Sequence, residues 1–522
     1  MNKQNIYIFV LLAATTLGIS SCDKFLDKLP DNRMELNNKE KIQKYLVSAY
    51  PDHNPAYLAE LYSDNADEFD VTGWGSDGRF YDQAYSWSDI TETQESESPQ
   101  ELWNSLYMAM STANTALQTI EQQGNNSELM PSKGEALLCR AYAALTLANT
   151  FCMAYDPTTA SKNMGLPYPT RPETTVGTKY ERGTLAAFYE QINRDIEEGL
   201  PLVTDNYSRP KYHFTRNAAY AFAALFNLYY QKYAKAVAYA TRVLGADASS
   251  KLRDWKAFNA LSVNGQIAPN AYVSVSSQAN LLLQTVYSQA GALLGPYRMG
   301  NKYAHGQLIS EKEDLQSQGP WGRSSNFGYT VWSNNSLSKY FINKVPYAFE
   351  YTDVQAGIGY AHSAYAVLTT DLTLLVRAEA NAMLGNYDAA AADLNTEVKA
   401  YSSGALGVTL EGIKNFYNGI SYYTPTAPTP KKKFNTAFSI EPTTQEPLLH
   451  AILHLRRIMT LGEGWRLQDV KRYGIVIYRR TLNASSSVTD VKDSLTVNDL
   501  RRAIQLPQDV ITAGLTANPR NK

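Results

Sequence analysis

The sequence has 522 residues, with 48 Lys and Arg against 50 Asp and Glu and a formal net charge of −2. At 44% hydrophobic and 19% charged it can build a core, which excludes a disordered chain, and its near-neutral balance offers no broad basic field for a nucleic-acid backbone. Three cysteines exclude a disulfide-stapled mini-domain, and the outlier is aromatic: 37 Tyr, 16 Phe and 7 Trp, of which Tyr and Trp pair a flat apolar face with a polar tip and suit hydroxyl-rich or peptide ligands.

Residues 1–22 read MNKQNIYIFVLLAATTLGISSC. Lys3 is followed by an uncharged stretch from Ile6 to Ile19, whose fourteen residues span about 21 Å as a helix, short of the ~30 Å hydrocarbon core. This is the pattern of a signal peptide. Its ending, Ile19-Ser20-Ser21-Cys22, resembles the bacterial lipobox, so residues 1–21 are expected to be removed and Cys22 to be acylated, several acyl chains giving a stable anchor. No later segment reaches 18 apolar residues. Cys139 and Cys152 fall thirteen residues apart in one helical pattern, about 20 Å if helical, too far for a disulfide; both read as core residues.

The stretch from the anchor to about Trp87 is rich in Asp, Gly and Tyr and shows no helical period. The first clear helix carries Trp103, Leu106, Met110, Ala113, Leu117 and Ile120 on one face, and a second carries Leu137, Ala141, Ala144, Leu145, Ala148 and Phe151. A third runs from Leu185 to Leu200 and stops at Pro201, a fourth begins after Thr215, and a fifth follows the break at Gln231-Lys232. Alanines crowd these helices, as at Ala218-Ala219, Ala223-Ala224 and Ala389 to Ala392, and permit the close approach that stacked helical hairpins need. Leu384-Gly385-Asn386-Tyr387-Asp388-Ala389-Ala390 carries the Leu-Gly turn, tyrosine and alanines of a tetratricopeptide-like hairpin, and Tyr229 to Ala236 is a looser copy. Between about 250 and 365 the helical period is lost among Gly, Ser, Asn and aromatics, and Thr424 to Lys433 (TPTAPTPKKK) reads as an exposed loop. The fold expected is mainly α: tetratricopeptide-like helical hairpins in an α-α superhelix, interrupted by a large irregular insertion.

Short motifs add little chemistry. Gly73-Trp74-Gly75-Ser76-Asp77-Gly78 satisfies GxGxxG but lacks a βαβ context, so it reads as a glycine-rich loop displaying Trp74. His450 and His454 stand i, i+4 without the glutamate of a zinc-protease motif and read as structural. Asp64, Asp67, Glu68 and Asp70 form an acidic cluster that suits a calcium ion, sugar hydroxyls or, most simply, a solvated loop. No GxSxG, Walker A, CxxC or HExxH occurs, and no cofactor or metal is implied.

Several blocks together resemble the SusD/RagB family of outer-membrane lipoproteins: Cys22 to Pro30 after the anchor, Trp103 to Ile120 with Asn114, Gly134 to Tyr142 with its Glu-Arg-Ala-Tyr pattern, Leu374 to Ala380, Arg456-Arg457 with Glu463 to Arg472, and the tail from Gln505 to Pro519. The Arg456-Arg457 block departs from the family, which usually has acidic residues beside the arginine pair; here Leu455 and Met459 or Thr460 stand there, so the arginines point outward or find carboxylates elsewhere. Glu463, Arg466 and Asp469 read as ion-pair partners and not as catalysts.

The resemblance implies a non-enzymatic, lipid-anchored protein at the cell outer membrane, facing the exterior. It would capture oligosaccharides, or peptides in some relatives, for a SusC-like TonB-dependent transporter. Its expected layout is a signal peptide over 1–21, an N-terminal helical region over 22–245, an aromatic insertion forming the ligand surface over 246–365, and a C-terminal region with the last helical pair over 366–522. By position in the family, the ligand site draws on Asp67, Asp70, Trp74, Arg79 and Trp87 before the first repeat helix, and on Tyr287, Tyr297, Trp321 and Trp332 in the insertion. The ordinary alternative for any one tryptophan is core packing. A surface glycosidase and a scaffold lipoprotein without a small ligand are the readings of a different class.

Overall fold

The computed structural model describes residues 36–520 apart from 77, 176, 298–300, 324–326, 335–338 and 403–406, so the expected signal peptide and Cys22 lie outside the described residues. The first part of the chain forms α1 (Lys39–Leu46), α2 (Ala56–Tyr62), β1 (Asp67–Phe69) and α3 (Arg79–Tyr85), then the helices α4 (Pro99–Gln122), α5 (Met130–Phe151), α6 (Leu185–Gly199), α7 (Arg216–Tyr229) and α8 (Tyr233–Leu244). The middle holds β2 (Asn280–Tyr287), β3 (Tyr303–Ala304), β4 (Trp332–Asn334), β5 (Lys339–Phe341), β6 (Ala348–Asp353) and β7 (Ile358–Thr369). The last part holds α9 (Thr370–Met383), α10 (Tyr387–Tyr401), α11 (Leu410–Gly419), α12 (Gln445–Met459), α13 (Arg466–Arg472), β8 (Ile477–Leu482) and β9 (Val488–Leu495).

Hydroxyl caps set where the helices begin. Ser98 accepts from the Glu101 amide with Pro99 in the first turn of α4, and Thr184, Thr215, Thr369 and Thr409 cap α6, α7, α9 and α11 in the same way. Each such cap contributes about 1 kcal/mol. The helices pair as α4 with α5, α7 with α8, α9 with α10 and α11 with α12, while α6 packs on α5 and α8 on α9. Gly134 lets α5 and α6 touch backbone to backbone: a Cβ there would meet Leu202 Cβ at 2.8 Å and the Gly199 carbonyl at 2.9 Å. Gly385 takes φ +81° at the α9–α10 turn, the left-handed geometry glycine provides. Cys139 and Cys152 are buried and unbridged, and no described helix is long and apolar enough to cross a membrane.

The insertion is more ordered than its sequence suggests. β2, β7 and β6 form an antiparallel sheet in that order. Six of the eight β2 residues are buried, on both faces, so the strand shows no alternation of apolar and polar residues to read. A second sheet, in the order β9-β8-β1-β3, joins distant segments: β1 runs parallel to β8 and antiparallel to β3.

What clamps these segments together is buried charge. Every residue of α12 except Glu446 is buried, Arg456 and Arg457 included. Both arginines find carboxylates far away in sequence. Arg457 donates to Glu313 at 3.1 Å, to the Asp64 carbonyl at 2.6 Å and to Asn65 Oδ1 at 2.8 Å. Arg466 grips both Asp64 oxygens at 2.7 and 2.9 Å, Arg480 grips both Asp67 oxygens at 2.8 Å, and Lys432 reaches Glu313 at 2.5 Å and Asp64 at 3.4 Å. Asp314 closes the set against His305 at 2.9 Å and Arg457 at 3.4 Å. Four carboxylates (Asp64, Asp67, Glu313, Asp314) thus meet four cations (Arg457, Arg466, Arg480, Lys432). Burial raises the Asp64 carboxyl, but Arg457, Arg466 and Lys432 outweigh it and hold it well below the usual range. Beside this group, Arg456 and Arg472 hold Glu379 and Asp469, and Tyr473 donates to Glu379 at 2.7 Å.

This arrangement corrects two expectations. The acidic cluster is neither a solvated loop nor a calcium loop, since Asp64 and Asp67 are spent on arginines. The Pro/Lys loop is exposed only in part: Lys431 and Lys432 are 9% and 4% exposed, because Glu313 and Asp64 draw Lys432 inward.

Removing one partner leaves an uncompensated buried charge, so Asp64→Ala is expected to cost about 3–5 kcal/mol in denaturant unfolding, far more than an exposed Asp→Ala. Acid should act through Glu379. Burial opposes its charge, yet Arg456 and Arg472 hold its pKa at about 2 against an ordinary 4.5. Between those values the unfolded chain binds a proton that the native chain does not, so stability rises with pH across the window and is lost as pH falls through it. Unfolding curves over that range should show the Glu379→Gln variant with a shallower acid dependence.

Candidate functional site

β1 and the loop after it carry several of the residues expected to bind ligand. Asp67 and Phe69 point inward, Glu68 is half-buried and Asp70 is exposed. Glu68 accepts from Lys492 at 2.7 Å and lies 3.5 Å from Lys302. The glycine loop then turns at Gly73, φ +89°, and Trp74 settles edge-on against Phe69, centroids 5.6 Å apart, leaving part of the indole open. The Lys302 amide donates to the Gly75 carbonyl at 3.3 Å, docking the loop on the insertion. From α3, Arg79 is exposed and pairs with Glu92 at 3.2 Å, and Asp82 accepts from the Tyr303 hydroxyl at 2.5 Å. Tyr303 stacks on Tyr85 at 4.3 Å. Burial, reinforced by the bond to Asp82, keeps the Tyr303 phenol protonated far above its ordinary range.

Two other expected residues lie close by. Tyr297 is 47% exposed and its hydroxyl accepts from Gln266 at 2.8 Å. Trp332, on β4, is half-buried and stacks on Phe341 at 4.9 Å. Lys339 ties that hairpin to the Tyr297 segment by donating to the Leu293 and Gly295 carbonyls at 2.6 and 2.7 Å. Gly295, Tyr303 and Phe341 line one small cavity of about 40 Å³. The cavity is too small for a ligand, but it brings the Tyr297 segment and the β4–β5 pair beside β3, on whose preceding residue, Lys302, the Trp74 loop is docked. Asp70, Trp74, Arg79, Tyr297 and Trp332 each keep part of the side chain open, on segments that meet around β3.

The remaining four do not join them. Trp87 is 1% exposed, donates its indole N–H to the Tyr62 carbonyl at 2.8 Å and lies under the Arg479 guanidinium. Trp321 is 2% exposed, between Phe327 and His454. Asp67 is committed to Arg480. These three are interior, which corrects their assignment to a ligand surface: each satisfies a buried polar or aromatic partner that its own sequence neighbourhood does not reveal. Tyr287 is half-buried at the end of β2, against His53, Tyr360 and His362. Lys302, Tyr303 and Asp82 belong to the region but escaped the sequence reading, since only the β1–β3 pairing brings them there. His450 and His454 are core residues: His454 bridges Tyr417 and Ser317 at 2.9 Å each, and burial drives its pKa down to about 3.

Residues 24–228 match a family model described as SusD-like, starch-binding and associating with the outer membrane. No curated protein matches the sequence. Solved structures similar to the chain include a SusD superfamily protein from Bacteroides thetaiotaomicron VPI-5482, at 18% identity and a TM-score of 0.62 over 92% of this chain and 99% of that one. A putative sugar binding protein from Bacteroides vulgatus ATCC 8482 shares 16% identity at a TM-score of 0.60 over 92% and 98%. A SusD-like carbohydrate binding protein from the same organism shares 17% at 0.60 over 91% and 96%. At these identities the likeness is one of fold, from end to end.

Burial separates the tryptophans in a measurable way. Trp87→Ala and Trp321→Ala are each expected to cost about 3–5 kcal/mol in denaturant unfolding. Trp74→Ala, half-open already, should cost about 1 kcal/mol.

Proposed function

We propose that the chain is a member of the SusD family, whose model residues 24–228 match, and that it captures oligosaccharides at the outer-membrane surface. Acylated Cys22 is its tether, and a TonB-dependent transporter receives the ligand. The region around β1 is the proposed binding surface. What supports this is that three partly open rings, Trp74, Tyr297 and Trp332, and charged groups of both signs at Asp70, Arg79, Asp82 and Lys302 stand on segments that meet around β3. A sugar presents apolar C–H faces ringed by hydroxyls, and flat rings edged by carboxylates, amines and guanidinium match both. The protein's part is binding. Transport energy comes from the partner, and no bond in the ligand need break.

Calorimetric titration with a panel of neutral and acidic oligosaccharides tests this. Binding to at least one is expected, weakened by about 1–3 kcal/mol in Trp74→Ala and again in Trp332→Ala, by analogy with base stacking on aromatic side chains. Tight binding of peptides with no response to any glycan would move the assignment to peptide capture. Release of sugars from a polysaccharide, abolished by one Asp or Glu substitution, would overturn the non-enzymatic reading.

A further inference from the structure

A groove of about 860 Å³ lies apart from the β1 region, between the turn after α1, the start of α4, the loop before α7 and the outer edge of β2. Its size falls in the range of small-ligand sites. Asp52, Glu101, Asn104, Arg209, Tyr212 and Thr285 are among its walls. We propose that it is a second, independent binding site, for a neutral oligosaccharide.

The groove is built in advance of any ligand. Ser105 Oγ donates to Asp52 Oδ1 at 2.6 Å and accepts from the Asp52 and His53 amides at 3.0 and 3.1 Å, and the His53 ring meets the same Oδ1 at 2.9 Å. These contacts, His53 first, keep the Asp52 carboxyl below its ordinary range against a partial burial penalty. Its other oxygen, Oδ2, makes no hydrogen bond among the described residues, and the side chain is 61% exposed. The Glu101 carboxylate, the Arg209 guanidinium and the Tyr212 hydroxyl likewise have no hydrogen-bond partner among the described residues. Beneath them the wall is rigid: Tyr50 donates to Glu135 at 2.7 Å, the His213 ring meets Glu135 at 2.7 Å, and Tyr207 stacks on His213 at 4.2 Å. At one end His53 passes to Tyr287, and Tyr287 to the exposed Tyr360, with centroids 5.5 and 5.6 Å apart.

The ligand class follows from what the groove offers and refuses. Fixed acceptors, a guanidinium donor and open tyrosine rings suit a hydroxylated chain. Two carboxylates against one guanidinium disfavour an anionic saccharide. An extended peptide would add to the free edge of β2, but that edge is held at both ends: the Tyr287 amide donates to the Asp52 carbonyl at 2.9 Å, and Lys211 donates to the Asn280 carbonyl.

The test titrates the full mature chain with maltohexaose, xylohexaose, mannohexaose, hexagalacturonate and an alanine-rich hexapeptide. It uses wild type, a Trp74→Ala/Trp332→Ala double variant, Tyr212→Ala and Asp52→Asn. A neutral hexasaccharide should still bind the double variant, and Tyr212→Ala alone, at an exposed ring that leaves the fold intact, should weaken that event at least about fivefold, as for one lost stacking contact. Asp52→Asn should weaken it too. The proposal is overturned if the double variant binds no saccharide while wild type does, if Tyr212→Ala and Asp52→Asn leave every event unchanged, or if the groove variants change only peptide or galacturonate binding. A neutral saccharide event sensitive to Tyr212 but not to Trp74 or Trp332 supports the groove and removes the β1 region instead.

Discussion

Arg457 sits in the interior of the protein on a helix with almost no surface, and the rest of the architecture is arranged around the cost of keeping it there. An unpaired guanidinium at that depth would cost several kcal/mol. It is matched by Glu313, Asp314 and the backbone of Asp64, and those carboxylates in turn collect Arg466, Arg480 and Lys432. The set balances, and its members come from the segment before the helical repeats, the middle insertion, the Pro/Lys loop, α12–α13 and β8. Hydrophobic burial alone is non-directional. The charge set tells these loops where to lie, because Glu313 and Asp64 each gather three cations from separate segments and hydrogen bonds of this kind are directional.

That constraint links scaffold to function. The helical hairpins supply apolar bulk and stiff backbones, but the proposed recognition falls to segments with little regular structure of their own. β1 is three residues long and β3 two, too little to hold a binding surface unaided. Asp67 and Asp64, on and beside β1, anchor it from below through Arg480 and Arg466, so that Trp74, Asp70 and Arg79 can face outward from a fixed base. Preorganisation of this kind reduces the ordering entropy that ligand binding must overcome.

The sequence made the helices legible and the loops much less so. Helix starts follow from Thr215 and from Pro201 as a stop, because caps and breakers act locally. The Arg456-Arg457 pair showed that carboxylates were needed, but their sources lie well over a hundred residues away for Glu313 and almost four hundred for Asp64, beyond any periodicity. The same limit explains Trp87 and Trp321. An indole beside glycines and polar residues reads as a surface platform, and only the Tyr62 carbonyl and His454, brought by tertiary packing, show it to be interior. β2 was missed for a different reason: a strand buried on both faces carries no period of two.

The central claim is that buried charge holds β1 and the loops around it as firmly as the helical core. Amide hydrogen exchange tests it directly by comparing Phe69 and Asp70, whose N–H groups donate to the Lys302 and Leu482 carbonyls at 2.8 Å, with Ile452 inside α12. The account predicts equal protection, all three amides exchanging only through global unfolding. Exchange of Phe69 and Asp70 by local opening, well before Ile452, would contradict it.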